Sequence, residues 1–390
     1  MKIVITVEEF NPNKGYLEYY LARELAKMGH KVYVFTFDWG KRASRTMLNE
    51  GFEVVNVPHF AIIHGYHVPS SSGVAYIDKF IKAKKPDIIH CQPLYSPLSL
   101  IFIAWKKFLR YKIVGSIITQ QNLFFSPWNA KEKILFSLSK IVIKNYAEKK
   151  SEIISAKTKE LAKIISRSYD VPLKKIHIIP LGTDPEQFKF DSKKRTLLRT
   201  KMGLSKSDVV IVYSGKINTS NGLEVLITAL APIVARNNKV KLLIIGKGKS
   251  SYIGHLKKTI SDFKIATNVI FHPWVSRTML PSFYSASDIG VWPGLSSISI
   301  IEAASTRLPV IIARYPVETY AIEKGNGFMF EVGNVKDLQR YLEILIDDCE
   351  LRKKMGRRSR LLVEQKLNWK TITLQYLHAY FSALNKRTHL

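Results

Sequence analysis

WPGLSSISIIEAASTRLPVI, residues Trp292 to Ile311, is the segment from which the architecture of this 390-residue chain can be worked out. It leaves an apolar strand that begins at Asp288 and crosses a Pro-Gly-Leu-Ser-Ser turn of small side chains. It then enters a short helix carrying Glu302 and exits through a second apolar strand, Pro309 to Ala313. A strand, tight loop, helix and strand in that order turn unpaired backbone N–H groups and the positive end of a helix toward the crevice at the strand tips. Phosphate groups bind at such places. Glu302 lies one turn into the helix, where a carboxylate can accept hydrogen bonds from ribose hydroxyls. A first-turn acid stabilising the helix dipole explains it equally well.

The same alternation runs upstream. Lys2 to Thr6 reads as a buried strand, and the loop from Glu8 to Lys14 ends on Gly15. Leu17, Tyr20, Leu21, Leu25 and Met28 then recur at helical spacing until Gly29, and Lys31 to Phe37 gives the next strand. Strands follow at Glu53 to Val57, Asp87 to Cys91, Lys112 to Thr119, Ile153 to Ala156 and Ile176 to Pro180. Asp184 to Arg199 is charged and aperiodic, and reads as a linker. After it the pattern restarts with strands Val209 to Ser214, Val240 to Ile245 and Asn268 to Phe271 and the helices between them. The expected fold class is therefore α/β, two doubly wound halves with a ligand in the cleft between them. The last helices, Val335 to Cys349, Glu350 to Leu367 and Thr371 to Asn385, carry apolar stripes and are expected on the outside.

Sixty Lys and Arg against 31 Asp and Glu give a formal charge of +29. Such an excess fits a polyanionic partner or an anionic membrane face, and also a lysine-rich habit of solvation. It is spread over both halves, with no aromatic stacking repeat or zinc spacing, so nucleic acid is not expected as a partner. The run RKKMGRRSR, Arg352 to Arg360, reads as a solvated helix joint. Cys91 and Cys349 match no metal or redox spacing, and no metal site is expected. No apolar run reaches the roughly 18 residues a spanning helix needs, which points to the cytoplasm, either free or peripheral on the membrane face. Lys131 to Lys150 sets Lys133, Lys140 and Lys144 along one line of an otherwise apolar helix. Membrane contact and a core helix with a solvated edge are both consistent with it.

With these pieces placed, the chain resembles the GT-B glycosyltransferases of family 4, retaining enzymes that use nucleotide sugars. The likeness rests on PDIIHCQPLYS (Pro86 to Ser96), ITQQNLF (Ile118 to Phe124), YSGKINTSNGLEVLI (Tyr213 to Ile227), LLIIGKGK (Leu242 to Lys249) and EAASTRLPVI (Glu302 to Ile311), in that order over nearly the whole length. The first half looks closest to the branch that glycosylates phosphatidylinositol and other lipid-borne acceptors. The resemblance implies two Rossmann-like domains facing a central cleft. Residues 1–188 would bind the acceptor and 189–368 the nucleotide sugar, with 369–390 crossing back to the first domain.

The resemblance also implies roles. Gly15 lets the backbone approach the donor diphosphate. Gly215 and Lys216 stand where the family has glycine and arginine, and Lys216 balances the leaving diphosphate. Backbone N–H groups around Ser297 and Ile298 cradle phosphates and sugar, Glu302 holds the ribose, and the segment from Val275 to Leu280 lines the base. Lys216 and Glu302 are the catalytic candidates. Three positions depart from the pattern. Asn221, before Gly222, replaces a phosphate-binding lysine; Gly294 replaces the first glutamate of a pair whose second member is Glu302; Gln121 on the acceptor side replaces a histidine. Arg277, Lys247 and Arg314 are candidates to supply the missing cation. The expectation is hexose transfer from a UDP- or GDP-linked sugar to a lipid-linked or glycan acceptor, with no metal and no cofactor beyond that co-substrate. A GT-B scaffold that has lost transfer, acting as a partner subunit at a membrane surface, is the alternative.

Overall fold

The computed structural model describes residues 1–12, 16–38, 42–63, 66–106, 108–117, 137, 140–141, 143–144, 148–295, 298–315, 319–323 and 325–385. Gly15, Gln121, Ser297 and most of the Lys131 to Lys150 segment lie outside them. The chain divides into two compact units, Met1–Pro180 with Trp369–Leu390, and Leu181–Asn368.

The first unit holds β1 (Lys2–Thr6), β2 (Lys31–Asp38), β3 (Ser44–Met47), β4 (Glu53–Ile63), β5 (Tyr66–Pro69), β6 (Ile88–Cys91), β7 (Lys112–Ser116), β8 (Ile153–Ala156) and β9 (Ile176–Ile178). Their order is β3-β4-β2-β1-β6-β7-β8-β9, with β5 on β4. All pairs are parallel except those made by β3 and β5. Ile3, Val4 and Ile5 of β1 and Ile88 and Ile89 of β6 are fully buried, because helices cover both faces of a parallel sheet. Those helices include α1 (Leu17–Lys27), α2 (Ser71–Lys84), α3 (Pro97–Trp105) and α4 (Lys159–Tyr169). Ser70, Ser96 and Thr158 cap the last three, each side-chain oxygen accepting from a backbone N–H three residues on. β4 runs six residues beyond the expected Val57, turning with β5 into an antiparallel hairpin with a bulge between His59 and Ala61.

The second unit is a six-stranded parallel sheet, β10 (Val209–Ile217), β11 (Val240–Gly248), β12 (Val269–His272), β13 (Ile289–Trp292), β14 (Val310–Ala313) and β15 (Gly327–Phe330), in the order β12-β11-β10-β13-β14-β15. Around it lie α5 (Ser192–Lys201), α6 (Leu223–Arg236), α7 (Ser250–Asp262), α8 (Leu280–Ala286), α9 (Ser299–Ser305), α10 (Val335–Asp347) and α11 (Cys349–Gln365). Strand order reverses between β10 and β13, which is where doubly wound sheets hold ligands.

The expected linker is mostly structured, and it belongs to this unit. Asp191 caps α5 by accepting from the N–H groups of Lys193 and Lys194, both at 3.0 Å. Arg195 Nη2 lies 2.7 Å from Asp288 Oδ1, and buried Arg199 places Nη1 3.2 Å from Asp288 Oδ2. One aspartate at the foot of β13 thus turns a charged stretch into a docked helix. The run at Arg352 to Arg360 is likewise not wholly solvated. Arg352 donates to the carbonyls of Leu345 and Ile346, and Arg360 to those of Pro185, Phe188 and Ser305.

The last helix, α12 (Trp369–Asn385), belongs to the first unit, where it packs against α1 and β7. Trp369 stacks on Tyr20 with ring centroids 5.0 Å apart, and the Tyr380 hydroxyl lies 2.8 Å from Nδ1 of buried His90. Its apolar stripe is therefore spent on core packing. Of the described residues, no helix is long and apolar enough to cross a membrane.

Candidate functional site

The tips of β10 and β11 are built from glycine and lysine. The two strands run in register, with Gly215 beside Gly246, Lys216 beside Lys247 and Ile217 beside Gly248. A Cβ on Gly246 would stand 1.9 Å from the Gly215 carbonyl oxygen, and one on Gly248 2.0 Å from that of Ile217. Only glycine allows the backbones to close at this end. The Tyr213 hydroxyl donates to the Lys216 carbonyl at 2.6 Å and fixes the tip. Burial raises the pKa of that phenol, so it stays a neutral donor. Beside the tips opens a cavity of about 830 Å³ whose lining includes Lys216, Lys247, Lys249, Thr219, Ser251 and Tyr252; among the described residues that line it none is a carboxylate.

The loop after β10 is tied to the turn after β13. Gly222 has φ +65° and begins α6, and a Cβ there would meet the Pro293 carbonyl oxygen at 2.7 Å. A Cβ on Gly294 would stand 2.3 Å from the Asn221 carbonyl carbon and 2.4 Å from the Ser220 oxygen. Leu295 N–H donates to the Ser220 carbonyl at 3.0 Å, and the Asn221 side-chain amide donates back to the Leu295 carbonyl. Asn221 is 8% exposed. Its Nδ2 faces a backbone carbonyl, which requires a donor there and settles which way the amide points. The two unusual positions, Asn221 and Gly294, are thus neighbours in one contact: the backbone at 220–221 fills the space a side chain at 294 would need.

Glu302 sits in α9 with 1% of its surface exposed, and Arg277 Nε is 2.6 Å from its Oε1. Burial pushes the carboxyl pKa up, and the Arg277 charge and hydrogen bond oppose that. The Arg277 guanidinium stands 5.0 Å over the Phe188 ring. Behind the site, Ser214 and Tyr284 share a hydrogen bond of 2.7 Å, and Trp292 Nε1 donates to the Ser214 carbonyl at 3.0 Å, locking β10 to β13.

Of the residues singled out from sequence, Gly215 and Lys216 lie at the strand tip and Asn221 and Gly222 in the adjoining loop. Ile298 is the N-cap of α9, without a side-chain cap. Val275 packs into the core of the second unit at 8% exposure, whereas Trp274 and Met279 beside it are largely exposed. The lining also takes in Lys249, Thr219 and Tyr252; of these only Lys249 has a sequence signal, the Gly-Lys-Gly-Lys run at residues 246–249. In the first unit, sequence reading also passed over Glu8, whose Oε2 accepts from the His67 backbone N–H at 2.9 Å and lies 3.3 Å from its Nδ1. Burial raises the Glu8 carboxyl, against the pull of His67. The pair is invisible in sequence because His67 arrives on the hairpin strand β5.

Sequence profiles of two families cover most of the chain. "Glycosyltransferase Family 4" matches residues 18–187, and "Glycosyl transferases group 1" matches residues 194–362. The chain belongs to glycosyltransferase family 4. Among its relatives in the family are the D-inositol 3-phosphate glycosyltransferase of Xylanimonas cellulosilytica, 26% identical over 61% of this chain and 58% of that one, and the alpha-monoglucosyldiacylglycerol synthase of Streptococcus pneumoniae, 24% identical over 75% of this chain and 65% of that one. The matches thus span less than two thirds of those relatives' length. The crystal structure of Anabaena Alr3699/HepE in complex with UDP superimposes with a TM-score of 0.77 at 19% identity, covering 98% of this chain and 100% of that chain. That likeness establishes the family's GT-B fold for this chain.

Proposed function

We propose that this family 4 chain is a retaining hexosyltransferase that moves a hexose from a UDP- or GDP-linked sugar to a lipid-linked or otherwise membrane-borne acceptor. The observation that carries the reading is the lysine-lined cavity at the tips of β10 and β11, where an anionic donor would meet cations and, among the described residues of the lining, no carboxylate. The UDP bound by Alr3699/HepE and the lipid product named for the Streptococcus relative support donor and acceptor class.

In this reading catalysis is mainly electrostatic. Lys216 stabilises the departing diphosphate as the sugar gains oxocarbenium character, and no metal takes part. Glu302, held by Arg277 through Oε1, offers Oε2 to a ribose hydroxyl. A diphosphate oxygen accepts the acceptor's proton, and retention follows the family. Anionic lipid docks near the Lys131 to Lys150 segment and keeps the protein on the cytoplasmic membrane face; within that segment Lys144 is paired with Asp170.

One observation favours a second reading, a scaffold without transfer: the buried Asn221 is neutral where the family has a phosphate-binding lysine, and its amide donates to the Leu295 carbonyl. One experiment separates the two. The purified chain is incubated with radiolabelled UDP- and GDP-hexoses and membrane lipids, and label is sought in the lipid fraction. Label there supports the transferase, and the anomer of the product, read by NMR, tests retention. Nucleotide binding with no label in any fraction supports the scaffold.

A further inference from the structure

We infer that Lys247 is the second cation of an anion site whose first is Lys216, and that the two together grip the diphosphate of a nucleotide; the diphosphate's being that of a sugar donor rests on the function proposed above. The argument begins with what the other cations are doing. Arg277 Nε is bound to Glu302 at 2.6 Å, and Arg314 Nε to Glu331 at 2.9 Å. Asn221, in the loop after β10, carries no charge, and its amide donates to the Leu295 carbonyl. Both arginines are paired with carboxylates, and none of the three residues lines the cavity at the strand tips.

Lys247 does. It is the residue directly beside Lys216 on the neighbouring parallel strand, so the two side chains leave the sheet on the same face. Both are exposed, both line the same cavity, and among the described residues neither is paired with a carboxylate. Like charges directly opposite each other in a sheet are destabilising. Two lysines set in register at exposed strand tips, with no carboxylate among the described residues of the lining, suit a ligand carrying at least two negative charges. Two phosphates joined by one oxygen match two ammonium groups on adjacent strands, one each. Lys249 lines the cavity as well, but it lies past the end of β11 as the N-cap of α7, outside the register that pairs the other two.

Nucleoside diphosphate and free pyrophosphate share this chemistry, so the test uses both. Calorimetric titrations of the full chain with UDP, GDP, uridine, guanosine and inorganic pyrophosphate are compared for wild type, Lys247→Ala, Lys247→Arg and Lys249→Ala. Lys247→Ala is expected to weaken the preferred nucleoside diphosphate by about tenfold to a hundredfold, as loss of one charge-assisted contact does. It leaves the parent nucleoside within about twofold, and Lys247→Arg keeps most of the affinity. Unchanged diphosphate affinity in Lys247→Ala, or a loss that follows Lys249→Ala instead, overturns the inference. Wild type that binds pyrophosphate through Lys247 but neither nucleotide upholds the anion site and removes the nucleotide-sugar reading. Wild type that binds none of them overturns both.

Discussion

Arg277 Nε and Glu302 Oε1 stand 2.6 Å apart with 11% and 2% of their side chains exposed, a buried ion pair inside the second unit. Breaking such a pair from one side leaves an uncompensated charge. Arg277→Gln should therefore destabilise the protein by roughly 3 to 5 kcal/mol at neutral pH. Burial already raises the Glu302 pKa above its ordinary 4.5, and loss of Arg277 raises it further. A carboxyl with a raised folded pKa favours folding below its unfolded pKa and loses that contribution as pH rises through the folded one. Melting of Arg277→Gln should consequently lie closer to wild type at pH 5 than at pH 7.5. An equal deficit at both values would mean that Glu302 does not titrate in the window above 4.5.

Two glycines of the second unit should respond to alanine with opposite signs. A Cβ on Gly294 collides with the backbone at 220–221, so Gly294→Ala should cost about 1 to 3 kcal/mol and lower the melting temperature. Gly254, inside α7, has nothing within 4 Å of its Cβ position. Gly254→Ala should stabilise by up to about 1 kcal/mol through helix propensity alone. Differential scanning calorimetry of the two variants checks both signs.

His90 is fully buried between the Tyr380 hydroxyl at 2.8 Å and Ser116 Oγ at 3.2 Å, and burial pushes its pKa down to about 3. The folded state holds it neutral while the unfolded chain protonates it near pH 6.5. Stability should therefore fall as pH drops below 6.5, by up to roughly 1.4 kcal/mol per pH unit from this group. His90→Gln should flatten that slope in urea titrations between pH 6.5 and 4.5. Tyr380→Phe leaves a buried imidazole nitrogen without its partner and should cost about 1 to 3 kcal/mol.

Much of this was legible in the residues because it depends on local pattern. Apolar runs such as Lys2 to Thr6 and Val209 to Ser214, punctuated by glycine and separated by helical spacing, give two doubly wound sheets whatever their partners are. Asp184 to Arg199 reads as a linker because the anchors of the helix it enters are arginines, and Arg195 and Arg199 make sense only beside Asp288, about ninety residues on in sequence. The hairpin strand at Tyr66–Pro69 was missed because its pairing with β4 is irregular. At the candidate site, Asn221 and Gly294 read as two separate losses, and space shows them to be one contact. Lys247 stood out in sequence only as one of three candidate cations. What set it apart was its register with Lys216, together with the carboxylates that hold Arg277 and Arg314.

The most direct test of the central claim, that the tip of β10 holds the departing diphosphate, is the transfer rate of Lys216→Ala measured beside its melting temperature. Lys216 is exposed, so the variant should melt as wild type does. Its kcat for hexose transfer should fall by about a hundredfold to a thousandfold, the usual cost of removing one transition-state electrostatic contact. A normally folded Lys216→Ala that transfers sugar at the wild-type rate would contradict the account.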